Sequence, residues 1–252
     1  MSRDNIFITG ITGSLGKAFV DLLKDDYEIT GIDHNENSVA KFQRDYPDIK
    51  IHYGDFRSSD LTGQDVLIHL AAMKHIDICE ENAIECIRNN VIKTLELFEH
   101  AKSTRAKILF MSTDKAVEPT SNYGYSKALM EAAARELGGA FARSGNITAS
   151  NGSVLNIWDE AIKNNEPVKI THRDMRRYFI TAPNLAKRIW EKFLAGEKVI
   201  IPEMDREVSL YNLALAKLRH YGKDRETYPI QFIGLRPGEK LEESLMWERE
   251  KR

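Results

Sequence analysis

Hydrophobic positions in the first half of the chain alternate between short unbroken runs and longer stretches at helical spacing. Ile6 to Thr9, Tyr27 to Ile32, Ile49 to Tyr53, Val66 to Leu70 and Lys107 to Ser112 are four to six residues each, rich in Ile, Val and Leu. Runs of that length bounded by polar residues or glycine predict strands buried on both faces. Between them, Leu15 to Lys24, Ser38 to Tyr46, Ile78 to Lys102 and Asn122 to Leu137 carry apolar residues on one helical face and mixed charges on the other. These are amphipathic helices. Strand and helix in alternation predict the α/β class, a doubly wound, Rossmann-like parallel sheet.

After Gly145 the rhythm shortens. Helices are expected at Val154 to Lys163, Asn184 to Leu194 and Tyr211 to His220, and strands at Val168 to Thr171, Val199 to Pro202 and Ile230 to Ile233. This divides the chain into residues 1–145 and a small, mixed lobe over 146–252, interleaved and without a linker.

Composition narrows the function. With 36 Lys and Arg against 38 Asp and Glu, the net charge is -2 and no basic block stands out, so binding to nucleic acid by phosphate neutralisation is not expected. A small-molecule partner is. No apolar run approaches the roughly 18 residues of a membrane span, and the first strand has no signal-like leader before it, which predicts a cytoplasmic protein without membrane contact. Cys79 and Cys86, seven apart on one predicted helix, read as free, buried thiols and not as metal ligands.

Directly after the first strand comes Gly10-Ile11-Thr12-Gly13-Ser14-Leu15-Gly16, a GxxGxxG turn leading into a helix. Such a turn supplies a tight bend, a bare backbone for a pyrophosphate, and close helix-to-strand contact, with the helix N-terminus facing the anion. The second strand ends in Asp33, about 20 residues on, where a carboxylate accepts from an adenosine ribose and repels a 2′-phosphate. NAD is therefore expected in preference to NADP. The same position also suits an Asp that caps the following turn.

The fifth strand ends at Ser112-Thr113-Asp114-Lys115, and Tyr123-Gly124-Tyr125-Ser126-Lys127 opens the next helix. Tyr123 and Lys127, four apart, share a helical face, so the ammonium can favour the phenolate. To act as a base near neutral pH the phenol must titrate well below its ordinary value of about 10, a shift that Lys127 and a positive nicotinamide ring would both promote.

These residues carry a resemblance. Gly10 to Gly16, Asp55-Phe56 after the third strand, Ala71-Ala72 after the fourth, and Tyr123 with Lys127 resemble an extended short-chain dehydrogenase/reductase. More closely, Ala71-Ala72-Met73-Lys74-His75, Ser112-Thr113-Asp114-Lys115-Ala116, Tyr123-Gly124-Tyr125-Ser126-Lys127-Ala128 and Arg236-Pro237-Gly238-Glu239-Lys240-Leu241 are similar to bacterial UDP-N-acetylglucosamine 4,6-dehydratases of surface-glycan, capsule and flagellin pathways.

The resemblance implies a redox-neutral hydro-lyase using NAD. Tyr123, aided by Lys127 and Thr113, would take the proton of the sugar carbon 4 hydroxyl while NAD takes the hydride. Lys115 would remove the proton on carbon 5, its neutral state promoted by burial and a cationic neighbour such as Lys127. Asp114 would protonate the hydroxyl leaving carbon 6, and the hydride would return there, giving a 4-keto-6-deoxy sugar nucleotide. The cofactor set is then Gly10, Thr12, Gly13, Ser14, Leu15, Gly16, Asp33, Asp55, Phe56, Ala71, Ala72, Lys74, Tyr123 and Lys127. The substrate set is Lys74, Asn90, Asn146, Asn151, Arg177, Arg236 and Glu239, although Arg173, Arg176 and Arg177 equally suit a solvated face, and relatives usually carry Arg where this chain has Asn151.

No metal is implied, and a homo-oligomer is. The alternatives are a sugar-nucleotide 4-epimerase or 5,6-dehydratase of the same fold, and a nucleotide-binding sensor without chemistry. At 252 residues the chain is short beside that family. Little room for a helix remains between Asp60 and Val66, the segment from Leu137 to Arg143 is abbreviated, and little follows Leu245. The expectation is a trimmed periphery, with weaker substrate closure and altered subunit contacts, around a full catalytic set.

Overall fold

A computed structural model describes residues 3–148 and 153–250. The first half contains β1 (Asn5–Thr9), α1 (Ser14–Leu23), β2 (Glu28–Asp33), α2 (Glu36–Asp45), β3 (Lys50–Tyr53), β4 (Val66–His69), α3 (Ile76–Glu81), α4 (Ala83–Ile87), α5 (Lys93–Thr104), β5 (Lys107–Met111), α6 (Asn122–Glu136) and β6 (Ala140–Ala142). The second contains β7 (Asn146–Ile147), α7 (Val154–Lys163), β8 (Val168–Ile170), β9 (Arg176–Ile180), α8 (Ala182–Leu194), β10 (Val199–Ile200), β11 (Arg206–Ser209), α9 (Leu210–His220) and β12 (Ile230–Phe232).

Seven strands form one parallel sheet in the order β10-β6-β5-β4-β1-β2-β3. The order reverses between β1 and β4, and the crevice beyond the carboxyl ends of those strands is where such sheets bind ligands. Alternation along β1 explains why helices cover both faces. Ile6 and Ile8 pack with Phe19 and Val20 of α1 and with Leu185, Ile189 and Trp190 of α8, whereas Phe7 points the other way, among Leu97 and Phe98 of α5 and Met130 of α6. Fully buried side chains of this size contribute about 2 kcal/mol each.

A separate core joins Leu155, Trp158 and Ile162 of α7 to Val168, Ile170, Phe179, Leu210 and Leu218. It belongs to the second lobe, with β11-β9-β7 and β12-β8 as small sheets. The chain beyond residue 145 nevertheless returns to the first layer. Helix α8 lies against α1, and β10 closes the large sheet by pairing with β6.

The expected helix over Ile78 to Lys102 is broken. Asn82, at φ -127° and ψ 53°, separates α3 from α4, and a π turn over Arg88–Ile92 precedes α5. Such a turn accommodates one extra residue and re-aims a side chain. Here Asn90 is turned inward, where its Oδ1 accepts from Met73 N and its Nδ2 donates to Met73 O, both at 2.8 Å. Helix periodicity does not reveal this, because the fixing contact is distant in sequence. Ser121 caps α6 by accepting from Gly124 N at 3.1 Å, which starts that helix just before Tyr123.

Candidate functional site

A cleft of about 920 Å³ opens at the switch between β1 and β4. Its floor is the glycine turn. Gly10 has φ +68°, and a Cβ there would stand 3.0 Å from Ala71 N, while a Cβ on Gly16 would stand 2.4 Å from Ile11 O. The first excludes side chains from the turn; the second shows how closely α1 meets the strand. Gly13 caps α1 with no side chain satisfying the first amides, and no acidic residue lies in the first turn. Bare backbone with unmatched N–H groups suits a pyrophosphate.

Asp33 closes one side, where its Oδ2 accepts from Thr12 Oγ1 at 2.6 Å. Its Oδ1 accepts from His34 N at 2.8 Å and Asn35 N at 3.2 Å, so it caps the turn while facing the cleft. Asp55 also borders the cleft, held by Lys93 Nζ at 2.6 Å, and Phe56 behind it is buried. Ala71 and Ala72 lie opposite, positioned by Thr9 Oγ1, which accepts from Leu70 N and Ala71 N at 3.2 Å each. His69 anchors that hydroxyl at 2.7 Å from the core, where burial, together with the charge of Lys127, holds the imidazole neutral, well below its ordinary value.

The end of β5 and the start of α6 bring the catalytic candidates together. Tyr123 and Thr113 both border the cleft, where the threonine hydroxyl favours the phenolate of its neighbour. Lys127 Nζ donates to Met111 O at 2.8 Å and lies 4.5 Å from the centre of the Phe110 ring. Asp114 Oδ1 accepts from Thr113 Oγ1 and from Lys115 Nζ, both at 2.9 Å, while its Oδ2 is buried without a hydrogen bond. Thr113, Lys115, Tyr123 and Lys127 border the cleft; Asp114 lies just behind them.

Two electrostatic expectations need correcting. Burial pushes the Tyr123 phenol above its ordinary value, with the Asp114 charge adding to the rise and the Thr113 hydroxyl opposing it. Lys127 is drawn down to about 7 by burial, against the pull of Glu131. The protein alone therefore does not make Tyr123 a neutral-pH base. The ion-pair partners of Lys115 are two carboxylates, Asp114 at 2.9 Å and Glu243 at 3.8 Å, which favour its ammonium.

The substrate candidates divide. Lys74 and Asn146 border the cleft, and burial lowers the Lys74 titration. Asn90 does not; besides Met73 its amide reaches Ser126 Oγ at 3.2 Å, so it supports the Met73–Lys74 loop from behind. Arg177 is buried, donating to the carbonyls of Arg176, Lys240 and Leu241 at 2.6 to 2.7 Å. It clasps the C-terminal segment and does not face solvent. Arg236 and Glu239 pair with each other at 2.8 Å at the edge of that segment, away from the cleft wall. Asn151 lies outside the described residues. Sequence reasoning missed Asn89, Lys93, Ser144 and Ile147, which border the cleft, because only tertiary approach brings them there. It missed Glu243 too, which lies just beyond the Arg236 to Leu241 block.

Cys79 and Cys86 are free, buried, and packed beside Tyr123. Among the described residues no His, Cys, Asp and Glu cluster is arranged to hold a metal, and no helix is long and apolar enough to cross a membrane.

Residues 6–252 match the family model described as polysaccharide biosynthesis protein. An uncharacterized membrane protein of Methanocaldococcus jannaschii is 35% identical over 97% of this chain and 81% of its own length. Capsular polysaccharide biosynthesis protein CapD of Staphylococcus aureus is 30% identical over 98% of this chain but 45% of its own, so this chain spans under half of that relative. A UDP-glucose 4-epimerase of Rickettsia bellii is 31% identical over 96% of this chain and 77% of its own. The solved structure of Pen from Bacillus thuringiensis has a TM-score of 0.87 at 28% identity, covering 97% of this chain and 84% of that one. DesIV from Streptomyces venezuelae, a dTDP-glucose 4,6-dehydratase with NAD bound, has a TM-score of 0.85 at 21% identity over 97% of this chain and 89% of that one, a likeness of fold.

Proposed function

The chain belongs to the polysaccharide biosynthesis protein family, with the fold of an extended short-chain dehydrogenase/reductase, and from that premise we propose that it is a sugar-nucleotide-modifying enzyme. More finely, it is an NAD-dependent 4,6-dehydratase of UDP-N-acetylglucosamine that yields a UDP-4-keto-6-deoxy-N-acetylhexosamine. The observation that carries this reading is the Asp114–Lys115 pair beside Thr113 and Tyr123. A 4-epimerase needs only the Tyr, Lys and Thr; an acid and a base added next to them serve an elimination.

The residues present fit a dinucleotide. The glycine turn and the amides opening α1 suit its pyrophosphate, Asp33 its adenosine ribose, and Tyr123 with Lys127 the ribose near the reacting ring. The carboxylate of Asp33 disfavours a 2′-phosphate, hence NAD over NADP. When bound, the nicotinamide supplies a hydride acceptor that is restored within each turnover.

The chain's own groups move the protons. Tyr123 Oη receives the proton of the carbon 4 hydroxyl, with Thr113 beside it; burial opposes the phenolate, and the positive charge of a bound nicotinamide would favour it. One proton shift across the 2.9 Å contact from Lys115 Nζ to Asp114 Oδ1 gives a neutral amine and a carboxylic acid. Those are the two states that elimination requires. Lys115 Nζ then takes the carbon 5 proton, the electron pair forms the bond between carbons 5 and 6, and the carbon 6 hydroxyl leaves as water with the proton of Asp114.

A second reading, 4-epimerase, is favoured by the 31% identity to the Rickettsia bellii protein of that name. Incubation with UDP-N-acetylglucosamine and NAD in heavy water separates the two. Loss of one water with deuterium at carbon 5 supports the dehydratase; a carbon 4 epimer of unchanged mass supports the epimerase.

A further inference from the structure

The segment from Arg236 to Leu245 lies as a strap over the catalytic loop. Arg177 clasps the carbonyls of Lys240 and Leu241, Thr120 Oγ1 donates to Gly238 O at 3.1 Å, and Lys240 Nζ donates to Val117 O at 2.8 Å. The strap carries Glu243 inward. Its carboxylate is 1% exposed, and neither oxygen makes a hydrogen bond. Each faces a lysine ammonium: Lys115 Nζ lies 3.8 Å from Oε1 and Lys240 Nζ 2.9 Å from Oε2.

A buried carboxylate of this kind is costly unless its charge is matched. Lys240 on the same strap matches one side of it. Among the described residues the other side pairs with the amine of the catalytic loop, Lys115 Nζ. Lys115 is thus held between Asp114 Oδ1 at 2.9 Å and Glu243 Oε1, two carboxylates from chain segments more than a hundred residues apart.

We propose that Glu243 is a positioning residue for Lys115, aiming its amine and stabilising the ammonium formed when it takes the proton from sugar carbon 5. The inference rests on the dehydratase reading. As Lys115 gains its proton, Asp114 loses one to the leaving hydroxyl. Charge then returns to the cluster Asp114, Lys115, Glu243 and Lys240, which is closed and balanced. Glu243 touches neither the cleft nor a reacting atom. It acts at one step only, because removal of the carbon 4 hydrogen uses Tyr123 and Lys127.

The test uses the full chain with NAD and UDP-N-acetylglucosamine in heavy water, comparing wild type with Glu243→Gln and Glu243→Asp. Reduced-nicotinamide absorbance in a single turnover reads the first step; deuterium at carbon 5 and loss of water read the elimination. The expected result for Glu243→Gln is nicotinamide reduction within about twofold of wild type and elimination slowed about ten- to a hundredfold, the range of a misaimed group. Glu243→Asp, which restores the charge one methylene shorter, should recover part of that loss. Should Glu243→Gln fail to fold, as its melting transition would show, Glu243→Asp decides by an elimination slowed about threefold with reduction unchanged. Equal slowing of both steps, or no slowing of elimination, overturns the role of Glu243. A wild type that places no deuterium at carbon 5 overturns the dehydratase reading, and the inference with it.

Discussion

Arg143 and Glu131 form a two-pronged ion pair beneath the catalytic helix, with Nε to Oε1 at 2.8 Å and Nη2 to Oε2 at 2.7 Å, and side chains 1% and 5% exposed. Ser112 Oγ also donates to Glu131 Oε1, and Glu250 pairs with the far side of Arg143. The pair ties α6, the end of β5 and the last turn of the chain together. Removing one partner strands the other charge in the core. Glu131→Gln should lower unfolding free energy by about 3 kcal/mol in urea titration, whereas replacing both residues with apolar ones of similar volume should cost less than either single change.

Gly124 sets how closely α6 approaches the catalytic loop. A Cβ there would lie 2.3 Å from Lys115 O, and backbone cannot yield as a flexible side chain does. Gly124→Ala is expected to separate Lys115 from Tyr123, lowering kcat about a hundredfold while KM changes little. The substitution would also lower Tm. A Gly124→Ala enzyme with wild-type kcat would show that this contact does not matter.

Replacing Tyr123 with Phe removes the group that receives the carbon 4 proton and leaves the packing beside Cys79 and Cys86 in place. Turnover should drop about 10²- to 10⁴-fold with a melting temperature close to wild type. Substrate turnover and calorimetry on the same preparation check both halves.

Lys127, drawn down to about 7 by burial, makes stability depend on pH in a definite direction. Between about 7 and the ordinary lysine value near 10.4, the unfolded chain binds a proton that the folded chain does not. Unfolding free energy contributed by this group therefore rises with pH across that window, and the penalty of burying the ammonium is fully present below it. Urea midpoints of wild type and Lys127→Met at pH 6.5 and 9.5 test this: the gain on the alkaline side should be smaller in the variant.

Much of this was legible in the sequence. Ile6 to Thr9, Val66 to Leu70 and Lys107 to Ser112 are apolar on both faces and became central strands, and the glycine turn, Thr113, Lys115 and Tyr123 with Lys127 converge on one cleft, with Asp114 just behind. What failed depended on contacts remote in sequence. β6 is three residues long, too short for periodicity, and becomes a strand only by pairing with β5 and β10; the strand expected at Val199 to Pro202 is present, but its place at the edge of the large sheet beside β6 follows from that pairing alone. Arg177, which suits either a substrate contact or a solvated face by sequence, is carried under the strap by β9, and the protonation states of Tyr123 and Lys127 follow from burial that composition cannot reveal.

The return of α8 and β10 to the large sheet bears on how the molecule is acquired as a folded unit. The covering of Phe19 and Val20 is supplied by residues some 165 positions later, after α7, β8 and β9 of the second lobe have been traversed. A ribosome that had released only the first 145 residues would present a sheet with one edge unpaired and one oily face uncovered. The two lobes should therefore melt as a single cooperative transition, and residues 1–145 expressed alone should aggregate, so this chain offers no clean point at which evolution or the bench can exchange one lobe for another.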